Sequence, residues 1–353
     1  MSVTPEDGQG PAAHDALEGV PPPRASTRLV GHDGAIAELM AIARKGHHAL
    51  ILEGEHGIGK ATAAFHLAGA LLSGEPLDGD VLPEPRPETP AWRQIVQGAH
   101  PNLMHLTRPA NDRGGGFRTV ITVDEVRRVG RFLAMTASVD APRIVIVDPV
   151  GDMQRSAANA LLKMLEEPPE NTRFLLIAHG ASGVLPTIRS RCQRVRFAPL
   201  GGDDVLAVIA HVAPGTVAAG ERPALAELSG GSPRRAIVMA LYGGNELHAN
   251  LKQLLDAPAF DTPLAHRLAD VAGTRGQDMH NALLREFIEL QLQQRARQAA
   301  RSGQDDRARR IAGFQAELAE RHRMAEGFGL DRRQEFLISA ARTHALLHGP
   351  GAS

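Results

Sequence analysis

The spacing of apolar residues predicts that helices and strands alternate through the first two thirds of the chain. Ile36, Leu39 and Ile42 recur at the helical period and predict an amphipathic helix. A continuous apolar run over residues 49–52 predicts a buried strand, and a glycine-rich segment then leads into a second helix that ends near Leu72. This succession is typical of the strand-to-helix units that build parallel sheets.

The alternation resumes after residues 73–118, which are rich in proline, glycine and charge and which we interpret as an insertion outside the core. Val126, Val129 and Leu133 share one face of a predicted helix. Another predicted helix, residues 156–167, is ended by two prolines. Because strands alternate with helices, we predict a parallel sheet covered on both faces. The predicted strands are 49–52, 143–147, 174–177 and 195–197.

The last third of the chain is predicted to be all-helical. Strand signals stop after residue 200, and apolar residues then recur at the helical period in long stretches. At the other end, residues 1–27 contain proline, glycine and acidic residues without periodicity and are predicted to form a disordered tail. The predicted apolar helix faces are Leu284, Phe287 and Ile288, then Ile311, Phe314 and Leu318, then Leu337, Ala340 and Ala341.

Length and composition limit the class of protein. A chain of 353 residues is long enough for two or three domains. We find no run of about eighteen apolar residues and no basic region followed by an apolar stretch at the start, so we expect a cytoplasmic protein. The single cysteine, Cys192, excludes an internal disulfide framework. The balance of 39 basic and 40 acidic residues argues against nucleic-acid binding over the whole surface.

Residues 54–62, GEHGIGKAT, match the phosphate-loop pattern G-x-x-x-x-G-K between a predicted strand and a predicted helix. Gly54, Gly57 and Gly59 allow the backbone to curl so that successive N–H groups face a triphosphate. Lys60 adds a positive charge at the outer phosphates. The alternative is an ordinary glycine-rich turn. The strand and helix on either side favour a nucleotide site.

Groups that a hydrolysing site needs are missing from this pattern. The residue after the lysine is usually Ser or Thr, whose hydroxyl ligates magnesium, but here it is Ala61. Thr62 follows one residue later, at a rotation of about 100° along a helix, so it is no simple substitute. Asp148 ends a predicted strand and suits a magnesium role or a helix cap. Pro149 stands where a catalytic glutamate would follow, and Asp152 lies several residues on.

Two stretches of the chain resemble a specific protein family. Residues 158–180, ANALLKMLEEPPENTRFLLIAHG, and residues 185–197, LPTIRSRCQRVRF, resemble the AAA+ subunits of bacterial clamp loaders, and most strongly their delta-prime subunits. The resemblance covers about Arg28 to Leu241. Other elements that match in the right order are VGH at 30–32, the phosphate loop, AHPNL at 99–103 and the Asp148 strand.

The resemblance implies a fold class and a domain organisation. The fold class is an α/β P-loop AAA+ core with a parallel sheet, followed by a small helical lid domain and an all-helical carboxy-terminal collar domain. The collar domain would serve oligomerisation. The predicted domains are the tail 1–27, the nucleotide-binding core 28–200, the lid 201–245 and the collar 246–353.

The tripeptide Ser190-Arg191-Cys192 resembles the family's arginine-finger motif. In that role Arg191 would reach the ATP site of a neighbouring subunit, where a permanently charged guanidinium suits several phosphate oxygens. The alternative is a surface salt bridge in the cluster that Arg191 forms with Arg189 and Arg194. We interpret Cys192 as a small buried hydrophobe.

A second arginine and two departures from the family follow from the same resemblance. Residues 231–234, GSPR, resemble the segment that places a sensor arginine over bound nucleotide, and we assign Arg234 rather than Arg235; the alternative is a solvated helix start. Relatives often carry Thr or Asn where this chain has Ala178-His179. Many relatives also carry four zinc-binding cysteines in a stretch that matches residues 73–100, which contain none, so we expect no zinc.

The resemblance implies a subunit of the DNA polymerase III holoenzyme that helps load the sliding clamp onto primed DNA. Its partners would be the motor and delta subunits in a hetero-oligomeric ring, which contacts clamp and DNA and no membrane. Because of Ala61 and Pro149, we expect no ATPase activity of its own, only membership of a holoenzyme with DNA polymerase activity. The loop suits ATP or ADP with Mg²⁺.

Two alternative functions stay open. The first is an ATP-hydrolysing motor subunit of the same loader or a related AAA+ ATPase. The second is a DNA-binding regulator with a vestigial core, for which the arginine-rich residues 295–310 would form the basic face. That stretch is also typical of a solvated helix face.

Overall fold

A parallel sheet of five strands lies at the centre of the amino-terminal part of the chain. We analysed a computed structural model that describes residues 14–111, 116–135, 142–180, 184–274 and 278–349. Within these residues the strand order is β2-β3-β4-β1-β5, and every neighbouring pair is parallel. The strands are β1 Ala49–Gly54, β2 Leu103–Leu106, β3 Arg143–Val147, β4 Thr172–His179 and β5 Gln193–Arg196.

The described helices divide between the sheet and the carboxy-terminal region. Those before residue 200 are α1 Asp33–Arg44, α2 Lys60–Leu72, α3 Pro90–Gln97, α4 Val123–Ala134, α5 Arg155–Glu166 and α6 Pro186–Arg189. Those after it are α7 Gly202–Val212, α8 Arg222–Leu228, α9 Pro233–Leu241, α10 Gly244–Asp256, α11 Thr262–Gly273, α12 Asp278–Arg301, α13 Asp305–Phe328 and α14 Arg332–His348. None of the described helices is both long enough and apolar enough to span a bilayer.

The strands bury alternate residues in two separate cores, one on each face of the sheet. Ile144 and Ile146 of β3 join the core that includes residues of α1, α2 and α3. Val145 and Val147 join the core formed with α4 and α5. Successive side chains of a strand point to opposite faces, so an uninterrupted apolar run is what a sheet covered on both sides requires. The predicted parallel sheet and its helical cover are confirmed.

The interpretation of residues 73–118 as an insertion outside the core was wrong. These residues include α3 and the edge strand β2, and the side chains of Trp92 and Ile95 are buried against the sheet core. The Thr89 side chain accepts a hydrogen bond from the Trp92 N–H at 3.3 Å and caps α3. Sequence periodicity missed β2 because it has only four residues, carries no β-branched side chain and fully buries only Leu106. Residues 112–115 lie outside the described part.

The predicted disordered tail also differs from the structure where the structure describes it. Leu17 and Ser26 are buried, and the carbonyl oxygen of Ser26 lies 2.8 Å from Nε2 of the buried His66. The Arg24 side chain donates to the carbonyl of Val96 at 3.1 Å. Polar contacts of this kind leave no hydrophobic period in the sequence. Residues 1–13 of the predicted tail lie outside the described residues.

The chain divides into two compact units, of which the first comprises residues 1–218 and 226–236 and the second comprises residues 219–225 and 237–353. The second unit is helical, and its core includes Leu284, Phe287, Ile288 and Leu318 as predicted. In α14 Ala340 is fully buried as predicted, but Ala341 is exposed and Phe336, rather than Leu337, is fully buried. The predicted limits of the lid, 201–245, and of the collar, 246–353, stay predictions.

We expect Trp92→Ala to lower the free energy of unfolding of the first unit by about 3–5 kcal/mol, because it empties a buried aromatic site. Trp92 is the only tryptophan, so circular dichroism during urea unfolding is the suitable measurement. Arg93→Ala, at the exposed neighbouring position of α3, is the control and should change stability by less than about 0.5 kcal/mol. Equal stability of both variants would contradict the placement of α3 in the core.

Candidate functional site

The carboxyl ends of three central strands bring the candidate residues to one edge of the sheet. Gly54 ends β1 and pairs in register with His179, the last residue of β4. Asp148 directly follows β3, and its backbone N–H donates to the carbonyl of Leu106 at 2.9 Å. In open α/β sheets this edge is where ligands bind. The structure therefore brings together the phosphate loop and Asp148, as the sequence predicted.

The phosphate loop connects β1 to α2, and it passes so close to another segment that one position requires glycine. Gly57 has a φ of 76°, and a Cβ atom there would lie 2.3 Å from Cβ of Arg234. Gly59 has a φ of 108° and immediately precedes α2. Gly54, at the start of the loop, lies against the backbone of Phe197. The glycines thus have the backbone conformations and the close packing that the loop demands.

Lys60 is the first residue of α2, and its side chain is folded into the loop. Its Nζ donates to the carbonyl of Gly54 at 2.9 Å and to the carbonyl of Glu55. Burial lowers the pKa of Lys60 to about 8, although the carboxylates of Asp148 and Glu55 oppose the shift. Two backbone carbonyls thus hold the ammonium group inside the loop, and its binding to an outer phosphate stays a prediction.

The residues that would bind a magnesium ion suit it less well than the loop suits a phosphate. Ala61 presents a methyl group at the position of the usual hydroxyl and packs on the sheet core, while Thr62 follows one residue later on α2. Burial, with the nearby charge of Asp15, raises the pKa of Asp148 to about 7, and Lys60 opposes the rise. Within the described residues no group of three or more His, Cys, Asp or Glu side chains could hold a metal ion.

Among the described residues that follow Asp148 along the chain, the first positions offer no free group to activate water. Pro149, which follows Asp148, has no proton-accepting group. The side chain of Asp152, the next carboxylate along the chain, forms an ion pair with Arg108. The loop and Lys60 therefore fit a polyphosphate, whereas the surroundings fit neither a well-ligated magnesium ion nor an activated water.

The segment predicted to carry the sensor arginine packs directly on the phosphate loop. Ser232 donates its hydroxyl to the carbonyl of His56 at 2.9 Å, and the backbone N–H of Arg234 donates to the carbonyl of Gly57 at 3.2 Å. The Arg235 guanidinium instead donates to the carbonyl of Ser229 at 2.9 Å, so this side chain is folded onto its own loop. Of the two arginines, Arg234 is the one with its backbone at the site; its sensor role stays a prediction.

Arg191 lies apart from the loop, on the turn between α6 and β5. Its guanidinium contacts Oε1 of Glu166 at 2.6 Å and donates to the carbonyl of Thr187 at 3.0 Å, and both charged side chains are substantially exposed. Ser190 donates its hydroxyl to the same carbonyl at 3.0 Å. Cys192 is buried, and burial raises the pKa of its thiol to about 12, so it anchors the turn as a small apolar residue.

Sequence reasoning missed three residues at this edge, namely His14, Asp15 and His56. Oδ2 of Asp15 lies 3.9 Å from Nε2 of His56, which belongs to the phosphate loop. The His56 ring meets the His179 ring edge to face, with centroids 4.6 Å apart. Burial, with the positive charges nearby, holds the pKa of His179 far below its ordinary value. No pattern in the sequence indicates the contact with Asp15, because it joins the loop to a segment without periodicity.

Comparison with known proteins agrees with the resemblance seen in the sequence. Residues 32–201 match the sequence model of a family described as "DNA polymerase III, delta subunit". DNA polymerase III subunit delta' of Pseudomonas aeruginosa is 35% identical over 222 residues, which are 62% of this chain and 64% of that protein. The subunit delta' of Escherichia coli K12 is 32% identical over 63% of this chain and 62% of its own length. The chain thus spans less than two thirds of the length of these two relatives.

Among solved structures, a DNA polymerase III gamma subunit-related protein of Thermotoga maritima aligns with 88% of this chain and 98% of its own. It is 17% identical with a TM-score of 0.39, so it adds no argument about function. The region that matches the family model contains the sheet, the phosphate loop and the Arg191 turn. Over residues 32–201 the chain is therefore similar to a family of DNA polymerase III subunits, and the relatives that match it are delta' subunits.

Proposed function

We propose that this chain is a delta-prime-type subunit of a bacterial clamp loader, which helps place the sliding clamp on primed DNA. In this role it hydrolyses no ATP itself and provides Arg191 to the ATP site of a neighbouring subunit. The observation that supports it best is the contrast within one site. The phosphate loop has the glycine conformations and the buried lysine of a nucleotide site, but Ala61, Pro149 and the paired Asp152 leave it without hydrolytic groups.

The local structure around Arg191 suits a residue that acts outside its own chain. The guanidinium forms an ion pair with Glu166 and a hydrogen bond to the carbonyl of Thr187, and both contacts lie on an exposed turn. An exposed ion pair contributes only about 0–1 kcal/mol, so the arginine can leave Glu166 at little cost. A guanidinium next to the triphosphate of another subunit would stabilise the charge that develops during phosphoryl transfer.

The proposed partners are the motor and delta subunits of the loader, with clamp and DNA contacted through the complex. The helical second unit would form the collar through which the subunits assemble. A nucleotide, ATP or ADP, would bind the phosphate loop through Lys60 and the loop N–H groups, and it would supply the phosphates that Arg234 senses. We propose no magnesium-dependent chemistry for this pocket.

The alternative function, an ATP-hydrolysing motor subunit, draws on the same loop. In its favour, Lys60 and Arg234 lie at the loop as an active site would require. Against it, Pro149 stands where a catalytic base would follow Asp148, and the next carboxylate along the chain, Asp152, pairs with Arg108. We therefore give preference to the non-hydrolysing subunit.

We expect the isolated chain to show no ATP turnover above background, with or without Mg²⁺, because Pro149 cannot accept a proton. Phosphate release from the purified protein measures this directly. Lys60→Ala is the control, since it removes the loop cation and should give the same background. Turnover that requires Mg²⁺ and disappears in Lys60→Ala would establish the alternative function.

We expect Arg191→Ala to lower the DNA-stimulated ATPase rate of a reconstituted loader at least about tenfold, a modest part of the 10³–10⁵ that arginine fingers contribute elsewhere. Ring assembly, measured by size-exclusion chromatography with light scattering, should be unchanged. The free energy of unfolding of the chain should fall by no more than about 1 kcal/mol, because the ion pair with Glu166 is exposed.

Two matched variants make this test specific. Arg194→Ala removes the same charge from an exposed position three residues later and should leave the ATPase rate unchanged. Glu166→Ala removes the partner within the chain and should leave the rate at or above that of the original protein. If Arg191→Ala and Arg194→Ala behave alike, Arg191 has no role at a neighbouring site.

A further inference from the structure

The segment from His14 to Ser26 is held against the first unit by contacts at both of its ends. Near its start, Nδ1 of His14 lies 3.1 Å from the hydroxyl of Thr107, and Leu17 is buried. Near its end, Ser26 is buried and its carbonyl contacts His66. These contacts fix the position of Asp15, which lies between the two ends and beside the phosphate loop.

The surroundings of Asp15 are those of an anion site. Its carboxylate lies 3.9 Å from the His56 ring of the phosphate loop. Burial by itself would raise the pKa of Asp15, but the His56 ring and the positive charge of Arg234 hold it well below its ordinary value. The same carboxylate raises the pKa of Asp148 across the pocket. Asp15 is therefore within electrostatic reach of the loop, of Arg234 and of Asp148.

We propose that Asp15 is an internal anion that occupies the phosphate-loop pocket and competes with nucleotide for it. A polyphosphate bound between the loop and Arg234 would bring several negative charges close to this carboxylate, whose side chain is 31% exposed, and like charges at short range repel. Nucleotide binding then requires that the segment around Asp15 leave the pocket. Because Asp15 is attached to the same chain, its effective concentration at the pocket is high and does not depend on protein concentration.

The inference depends on the phosphate-loop pocket alone and not on the role of Arg191 at a neighbouring subunit. It predicts a closed pocket at rest and an open one after the segment is displaced. The apparent affinity for nucleotide is reduced by the fraction of molecules in which the pocket is open. A partner that binds the segment from His14 to Ser26 would open the pocket, so nucleotide binding would respond to assembly.

The test is a calorimetric titration of the full chain with ATP, in the presence and in the absence of Mg²⁺. We expect Asp15→Ala to bind ATP at least about tenfold more tightly than the unaltered protein, which corresponds to a pocket open in one molecule in ten or fewer. Glu18→Ala is the matched control, because it removes an exposed carboxylate from the same segment three residues later and should change nothing. The double variant Asp15→Ala, Lys60→Ala should lose the gain.

A second variant protects the test against a local folding defect. A chain that begins at residue 20 lacks Asp15 but keeps Ser26 and its contact with His66, and it should show the same tightening. Thermal unfolding without ATP identifies any variant that fails to fold. If neither Asp15→Ala nor the shortened chain binds ATP more tightly, or if the gain survives Lys60→Ala, the proposal is wrong, whatever the outcome of the Arg191 experiment.

Discussion

Burial of both faces of the parallel sheet is the constraint from which the rest of this structure follows. Ile144, Val145, Ile146 and Val147 of β3 have no exposed surface, and residues 49–52 of β1 and 174–178 of β4 are apolar and buried as well. Polar chemistry is excluded from the faces and must lie at the ends of the strands. The phosphate loop, Asp148 and His179 therefore meet at one edge, although they are far apart in the sequence.

Poor solvation at this edge decides what its charges can do. It lowers the pKa of Lys60 to about 8 and raises that of Asp148 to about 7, so burial disfavours the charged form of each group. A site of this kind gains much from an anion of complementary shape. Asp15 is an anion of the chain itself beside this loop, whereas Ala61 and Pro149 offer neither a hydroxyl nor a base at their own positions.

Local patterns in the sequence were enough to predict the central strands, the phosphate loop and the position of Asp148, because each rests on a run of adjacent residues. Elements that depend on distant contacts escaped prediction. The edge strand β2 has too few apolar residues to show a period, and α3 is recognised only by the burial of Trp92. The sequence did not predict a role for Asp15 for the same reason, since that role depends on the nearby side chain of His56 and on the charge of Arg234.

The two charged side chains with proposed roles are both partly exposed, and each is held to its own chain by a contact that can be exchanged. Arg191 is bound by an exposed carboxylate in solvent, where the interaction is weak and easily exchanged for a stronger one with phosphate in a closed interface. The side chain of Asp15 is likewise 31% exposed and lies 3.9 Å from His56, a contact weak enough for the segment to leave the loop. A group that must reach another subunit and a group that must leave a pocket both need a contact with their own chain that breaks readily.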